Sequence, residues 1–157
     1  MKFKSWYLTS ILLLTGILVS AQVEIDEEGL YYNEYGTLYT GNYIEFYTNG
    51  NKRIELSLKE GMIDGVVTLY FESGLKKEVR SYKNGMMDGT WITWNEAGIK
   101  IAQASYGNNL KHGDWFIWDE KGTLRFEMHY TNGVKSGLWR MYNEKGELVT
   151  EQNKQGP

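Results

Sequence analysis

Few residues in this chain could carry chemistry. Its only imidazoles are His112 and His129, and it has no cysteine to supply a thiolate or a disulfide. Nucleophilic catalysis needs a base held beside a nucleophile. His112, however, stands where the chain at a constant interval carries Asp64, Asp88 and Ser136, and His129 stands where it carries Ser57, Ser81 and Ser105. Both therefore read as ordinary turn and strand residues. Seventeen positions separate them, and neither belongs to a ligand-spaced metal motif. Paired carboxylates for glycoside cleavage, such as Glu120 and Glu144, recur at the same interval in turn-like sequence rather than converging on a cleft. The acidic run Asp26-Glu27-Glu28 fits a solvated strand-to-turn junction; calcium is the alternative and would need a dedicated binding loop. What remains is aromatic. Trp91, Trp94, Trp115, Trp118 and Trp139 are the candidate binding surface, because indoles stack on sugar rings and are over-represented at protein-binding hot spots. No catalytic residue, cofactor or metal is expected.

The elements that position these tryptophans follow from the interval itself. Gly41, Gly65, Gly89, Gly113 and Gly137 are each 24 residues apart. A period of this size marks an array whose units cannot bury an apolar face alone and must stack on their neighbours. Each unit contains two turn signals. The first is Asn49-Gly50, Ser73-Gly74, Ala97-Gly98, Lys121-Gly122 and Lys145-Gly146, where the repeated glycine predicts a positive φ. The second is Gly61, Gly85, Asn109 and Gly133, and Asn109 supports the same conformation because asparagine is enriched in the left-handed region. Between the turns lie two strand-like runs of six to eight residues, and no stretch shows sustained helical periodicity. The expected fold is all-β, an elongated single-layer antiparallel β-meander of stacked hairpins. Tyr32-Asn33-Glu34-Tyr35-Gly36-Thr37-Leu38 matches Tyr142-Asn143-Glu144-Lys145-Gly146-Glu147-Leu148 in type and spacing, so residues 22–40 read as a shortened capping repeat. Residues 41–157 then hold four full units and a partial fifth from Gly137.

Alternation along a strand assigns the faces. Tyr43, Val67, Trp91, Trp115 and Trp139 share one face with Leu69, Ile117 and Met141; Phe46, Tyr70, Trp94, Trp118 and Tyr142 share the other with Ile44, Ile92 and Phe116. Both faces of the first strand are apolar. In the second strand, Ile54, Leu56 and Leu58, or Phe126, Met128 and Tyr130, alternate with polar residues and leave one side wet. Whether the aromatic columns are buried core or exposed for binding is open at this level.

Lys2 and Lys4 precede an apolar run from Trp6 to Val19 and then Val19-Ser20-Ala21, the pattern of a secretory signal over residues 1–21 cut before Gln22. An uncleaved anchor helix is the alternative, but the run is shorter than the ~20 residues that span a bilayer. The formal net charge is −3, and losing the leader's lysines makes the remainder more acidic. That balance excludes a phosphate-backbone partner, which needs a basic stripe.

This glycine and aromatic pattern resembles the MORN (membrane occupation and recognition nexus) repeats, and more closely their bacterial variant, whose members are often labelled YwqK-like antitoxins. The resemblance covers about residues 29–152. Tyr39-Thr40-Gly41-Asn42-Tyr43 comes near the Tyr-Glu-Gly opening of the usual MORN repeat without reproducing it, which favours the variant. The resemblance implies a twisted sheet of hairpins and no catalytic residues. The resulting expectation is an exported, periplasmic or extracellular, noncatalytic scaffold for a protein partner. A glycan-binding or envelope-surface module is one alternative, and an immunity or antitoxin-like protein is another, although an exported protein cannot neutralise a cytoplasmic toxin.

Overall fold

The computed structural model describes residues 23–156. The leader and the cleavage point before Gln22 lie outside them. Two short strands, β1 (Glu24–Ile25) and β2 (Tyr31–Tyr32), pair with each other. The rest is one antiparallel sheet built from β3 (Gly41–Phe46), β4 (Lys52–Lys59), β5 (Met62–Tyr70), β6 (Lys76–Lys83), β8 (Gly89–Trp94), β9 (Lys100–Gly107), β11 (Gly113–Trp118), β12 (Leu124–Thr131), β13 (Val134–Tyr142) and β14 (Leu148–Lys154), lying side by side in chain order. The two-residue strands β7 (Met86–Met87) and β10 (Leu110–Lys111) extend β6 and β9 at one end. The sheet is open, a meander of consecutive hairpins, and at ~4.8 Å per strand its ten long strands extend roughly 43 Å across the stack.

The turns explain why the chain folds back where it does. In the first turn of each unit, Gly50, Gly74, Gly98, Gly122 and Gly146 have φ between 76° and 87°, as the sequence predicts. An Asn or Asp carboxamide or carboxylate fixes several of these turns: Asn95 Oδ1 accepts the N–H groups of Ala97 and Ile99, and Asp119 Oδ1 those of Lys121 and Thr123. Asn33 and Asn143 do the same. So does Asp26, whose Oδ1 accepts from Glu28 and Leu30 at 2.9 Å. The acidic run thus forms one more hairpin turn of the same construction. Backbone donors hold the Asp26 and Asp119 carboxyls below the usual carboxylate range.

At the second turn the left-handed region is used twice in succession. Glu60, Asn84, Asn108 and Asn132 have φ of 47° to 49°, each followed by a second positive φ at Gly61, Gly85, Asn109 or Gly133. Two successive positive φ values define a type I′ hairpin turn, whose twist matches that of the flanking strands. The N–H of that second residue donates to the unit before it, from Gly61 to Tyr39 O, Gly85 to Ile63 O, Asn109 to Met87 O and Gly133 to Lys111 O, all at 2.8–2.9 Å.

Few side chains are fully buried. Leu56, Leu58 and Val67 form a buried cluster, with Tyr31, Tyr39, Tyr43, Ile54, Ile63, Leu69 and Tyr82 packed around it. This core lies at the N-terminal end, beneath the β1–β2 hairpin. Tyr31 N–H donates to Gly61 O, and the Tyr31 and Tyr43 rings lie 5.9 Å apart.

Candidate functional site

The five candidate tryptophans fall on opposite faces of the sheet, as alternation along the strands predicts. Trp91, Trp115 and Trp139 interleave with the tyrosines of the neighbouring strands. The ring order is Tyr82, Trp91, Tyr106, Trp115, Tyr130, Trp139, with successive centroids 4.7–5.6 Å apart. Each indole N–H of this series donates to a strand carbonyl ten residues earlier: Trp91 to Ser81 at 3.1 Å, Trp115 to Ser105 at 3.0 Å and Trp139 to His129 at 3.1 Å. Cations lie against the rings. The Arg80 guanidinium sits 5.0 Å from Trp91, Lys111 Nζ 4.5 Å from Trp115, and Lys135 Nζ 4.5 Å from Trp139. Glu78 Oε2 accepts from Arg80 Nη2 at 2.7 Å and holds that guanidinium protonated above its usual range. The ladder is thus tied to the backbone and half-covered by its own neighbours.

The opposite face is built differently. A β-bulge recurs in every hairpin, so that Phe46 pairs with Lys52, Tyr70 with Lys76, Trp94 with Lys100, Trp118 with Leu124 and Tyr142 with Leu148. The extra residues are Arg53, Lys77, Ile101, Arg125 and Val149. The bulge moves the lysines onto the aromatic side, giving a row in which Phe46, Tyr70, Trp94 and Trp118 alternate with Lys52, Lys76 and Lys100. Lys100 Nζ lies 4.2 Å from the Trp118 ring, and Phe116 packs 5.7 Å from it. Lys52 Nζ and the Tyr70 hydroxyl both donate to Glu55 Oε2, at 2.9 and 3.0 Å, and Lys52 holds the Glu55 carboxyl below its usual range. Farther along, Arg140 donates to Glu127 and Glu151 at 3.1 and 2.7 Å. The indole N–H groups of Trp94 and Trp118 have no partner among the described residues. Nor are they buried, since Arg80 Nε is the one buried unpartnered side-chain polar atom among those residues. Among the described residues they are unpaired donors on a half-buried face.

The remaining chemical residues are dispersed. His129 Nδ1 pairs with Asp114 Oδ1 across the hairpin at 2.7 Å, and His112 Nδ1 lies 3.2 Å from Asn132 Oδ1. Glu120 and Glu144 are exposed in first turns. Among the described residues no three His, Cys, Asp or Glu side chains gather as metal ligands would. Sequence reasoning missed the lysine row because the bulge breaks simple alternation, yet the signal was present: Lys52, Lys76 and Lys100 share the period of the glycines.

At the C-terminal end of the ladder face, Phe126, Met128, Trp139, Met141, Thr150 and Gln152 line an open groove of about 440 Å³. Phe126 is 40% exposed and Met141 38%. The edge strand β14 presents Leu148 and Val149, both more than half exposed.

No curated protein sequence matches the chain. The family described as MORN repeat variant matches residues 39–60 and 111–132. Both stretches run from a second-turn edge through a unit-opening glycine or its hairpin, and they lie three repeat lengths apart, in phase with the intervening units. Phased glycines, repeated hairpins and these two matches agree: the chain is a MORN-repeat protein of the variant type.

Proposed function

We propose that this protein is an exported, noncatalytic scaffold that docks another protein on the face carrying Trp94 and Trp118. The supporting observation is the contrast between the two sets of indoles. Those of the ladder spend their N–H on backbone carbonyls, whereas Trp94 and Trp118 have no such partner among the described residues and flank Lys100. Tryptophan is among the residue types most enriched at protein-binding hot spots, and an indole N–H left unpaired can be satisfied by a partner. Long, shallow sheets also suit a macromolecule better than a small ligand.

The test pairs melts with binding. Trp94→Ala and Trp118→Ala should leave the circular-dichroism melt close to that of the parent protein while abolishing quenching of tryptophan fluorescence by candidate exported partners. Trp91→Ala and Trp115→Ala should melt at clearly lower temperature. Equal destabilisation by all four would remove the platform. Quenching by soluble polysaccharide and by no protein would transfer the face to a glycan. Export is checked by intact mass of the secreted material, which should begin at Gln22.

A further inference from the structure

We propose that the outer edge of β14 is a second docking site, a strand-accepting seam that takes an extended segment of the pattern Gly-x-Trp-x-x-aromatic from a partner protein. The proposal stands apart from the face discussed above and rests on how the internal seams are made. At each of them, the second strand of one unit receives the first strand of the next. Ser81 and Ser105 turn their carbonyls outward, where they accept the N–H of Asp88 or His112 and the indole N–H of Trp91 or Trp115. His129 O takes Trp139 in the same way. Asn153 is the next residue of this column, 24 positions after His129, and it lies on the edge strand. By the same alternation, Glu151 and Asn153 point their backbone groups away from β13.

The side chains next to that edge fit the same occupant. In the ladder, each incoming Trp packs against Tyr82, Tyr106 or Tyr130 of the preceding strand, and the residue in that column on β14 is Lys154. An indole laid there would meet a cation in place of a phenol. The groove lined by Met141, Thr150 and Gln152 adjoins it.

A second copy cannot supply the strand from its own free end. At β3, the Tyr39 hydroxyl donates to Asn42 O at 3.1 Å, at the carbonyl position where, two units further on, Ser81 Oγ donates to Thr90 O. Tyr39 also packs so closely on Gly41 that an added Cβ would lie 2.9 Å from its hydroxyl. One edge of the sheet is therefore stoppered by an aromatic side chain, and the other has no strand paired to it among the described residues. Continuity with four built seams points to strand addition from another chain at that second edge.

The probe is an end-capped synthetic peptide spanning residues 112–119, the first strand of a unit, titrated into the full protein by fluorescence anisotropy. Saturable binding is expected, weakened at least about tenfold when the peptide carries Trp115→Ala or the protein carries Asn153→Pro. Proline at 153 removes only an outward N–H and should leave the melt unchanged. Hydrogen exchange on the unaltered protein gives a second reading: the peptide should protect the Glu151 and Asn153 amides while leaving the Gln152 rate as it was. No saturable binding, or equal binding to the Asn153→Pro protein, would overturn the proposal. So would a dimer seen by sedimentation that Asn153→Pro dissolves and the peptide does not compete with, which would assign the edge to a second copy.

Discussion

The two ends of the ladder face carry equivalent columns in opposite conditions. Ile54, Leu56, Val67 and Leu69 at the N-terminal end correspond, three units later, to Phe126, Met128, Trp139 and Met141. Leu56 and Val67 are 2% and 3% exposed where Met128 and Trp139 are only half-buried, and Ile54 and Leu69 are half-buried where Phe126 and Met141 are 40% and 38% exposed. The difference is the cap: Tyr31 and Tyr39 pack onto the first set, and among the described residues no such hairpin lies over the second. A single-layer sheet excludes water either by borrowing a lid or by growing its own side chains. Aliphatic residues suffice under the lid. Beyond it the same column turns to Trp91, Trp115 and Trp139, large enough to shield one another.

This contrast can be broken by substitution, beginning with the largest effect. Leu56→Ala should cost about 3 kcal/mol, within the range for a buried leucine, and Met141→Ala less than about 1 kcal/mol. Chemical denaturation of both would show it, and equal losses would mean that burial at the two ends is alike. Tyr31→Ala should cost about 2 kcal/mol by stripping the cap from the Leu56 cluster. Tyr35→Ala, in the same hairpin region but 81% exposed, should leave the same melt unmoved.

Backbone changes sharpen the comparison further. Gly122→Val should cost about 1–3 kcal/mol because φ is 86° and the new Cβ would meet Ile99 Cγ2 at 3.3 Å. Gly98→Val, with φ of 76° but open space, should cost less, and Ala97→Gly beside it little. Glu60 alone among the first positions of the type I′ turns is not asparagine. Glu60→Asn should therefore raise stability by about 0.5 kcal/mol, read as a small upward shift in Tm.

The smallest effect is a pH dependence. Backbone donors depress the Asp119 carboxyl in the folded state, so its contribution is fully present above the unfolded pKa of about 3.9 and is lost as pH falls through the lower folded value. Asp119→Asn keeps the acceptor, as Asn95 and Asn143 do in equivalent turns. Its melt should match that of the parent protein at neutral pH and fall less steeply below about pH 4. A variant that loses stability at neutral pH would show that the charge, rather than the acceptor, holds the turn.

Much of this architecture was legible in the residues. The phase of the glycines gave the hairpins, and alternation along the first strands placed Trp91 and Trp94 on opposite faces. The second strands were less transparent. Arg53 and its successors are extra residues in the pairing, and a bulge depends on hydrogen bonds across the hairpin that no single strand displays. The lysine row was hidden for that reason. Arg80, held between Glu78 and Trp91, was hidden by a different one: its column contains Leu56, Ala104, Met128 and Gln152, so repeat logic suggests no cation there. Likewise, that the N–H groups of Trp94 and Trp118 lack a partner among the described residues is a property of packing on a face, and composition gives no sign of it.

The identity of successive seams also governs how the sheet comes apart. When β14 and β13 separate from the rest, the strand left at the margin is β12, and its exposed border repeats the one just lost. Unfolding from that side is a ratchet of equal steps, each about one period long, with no step guarded more strongly than the next until it reaches the aliphatic cluster beneath Tyr31. From the other side, the first step must pull away the cap and open that cluster together. The array therefore has a polarity of unzipping: amide protection should descend as a staircase from β5 toward β14, and a pulling force applied to the carboxyl terminus should meet a train of similar small ruptures before one larger, final one.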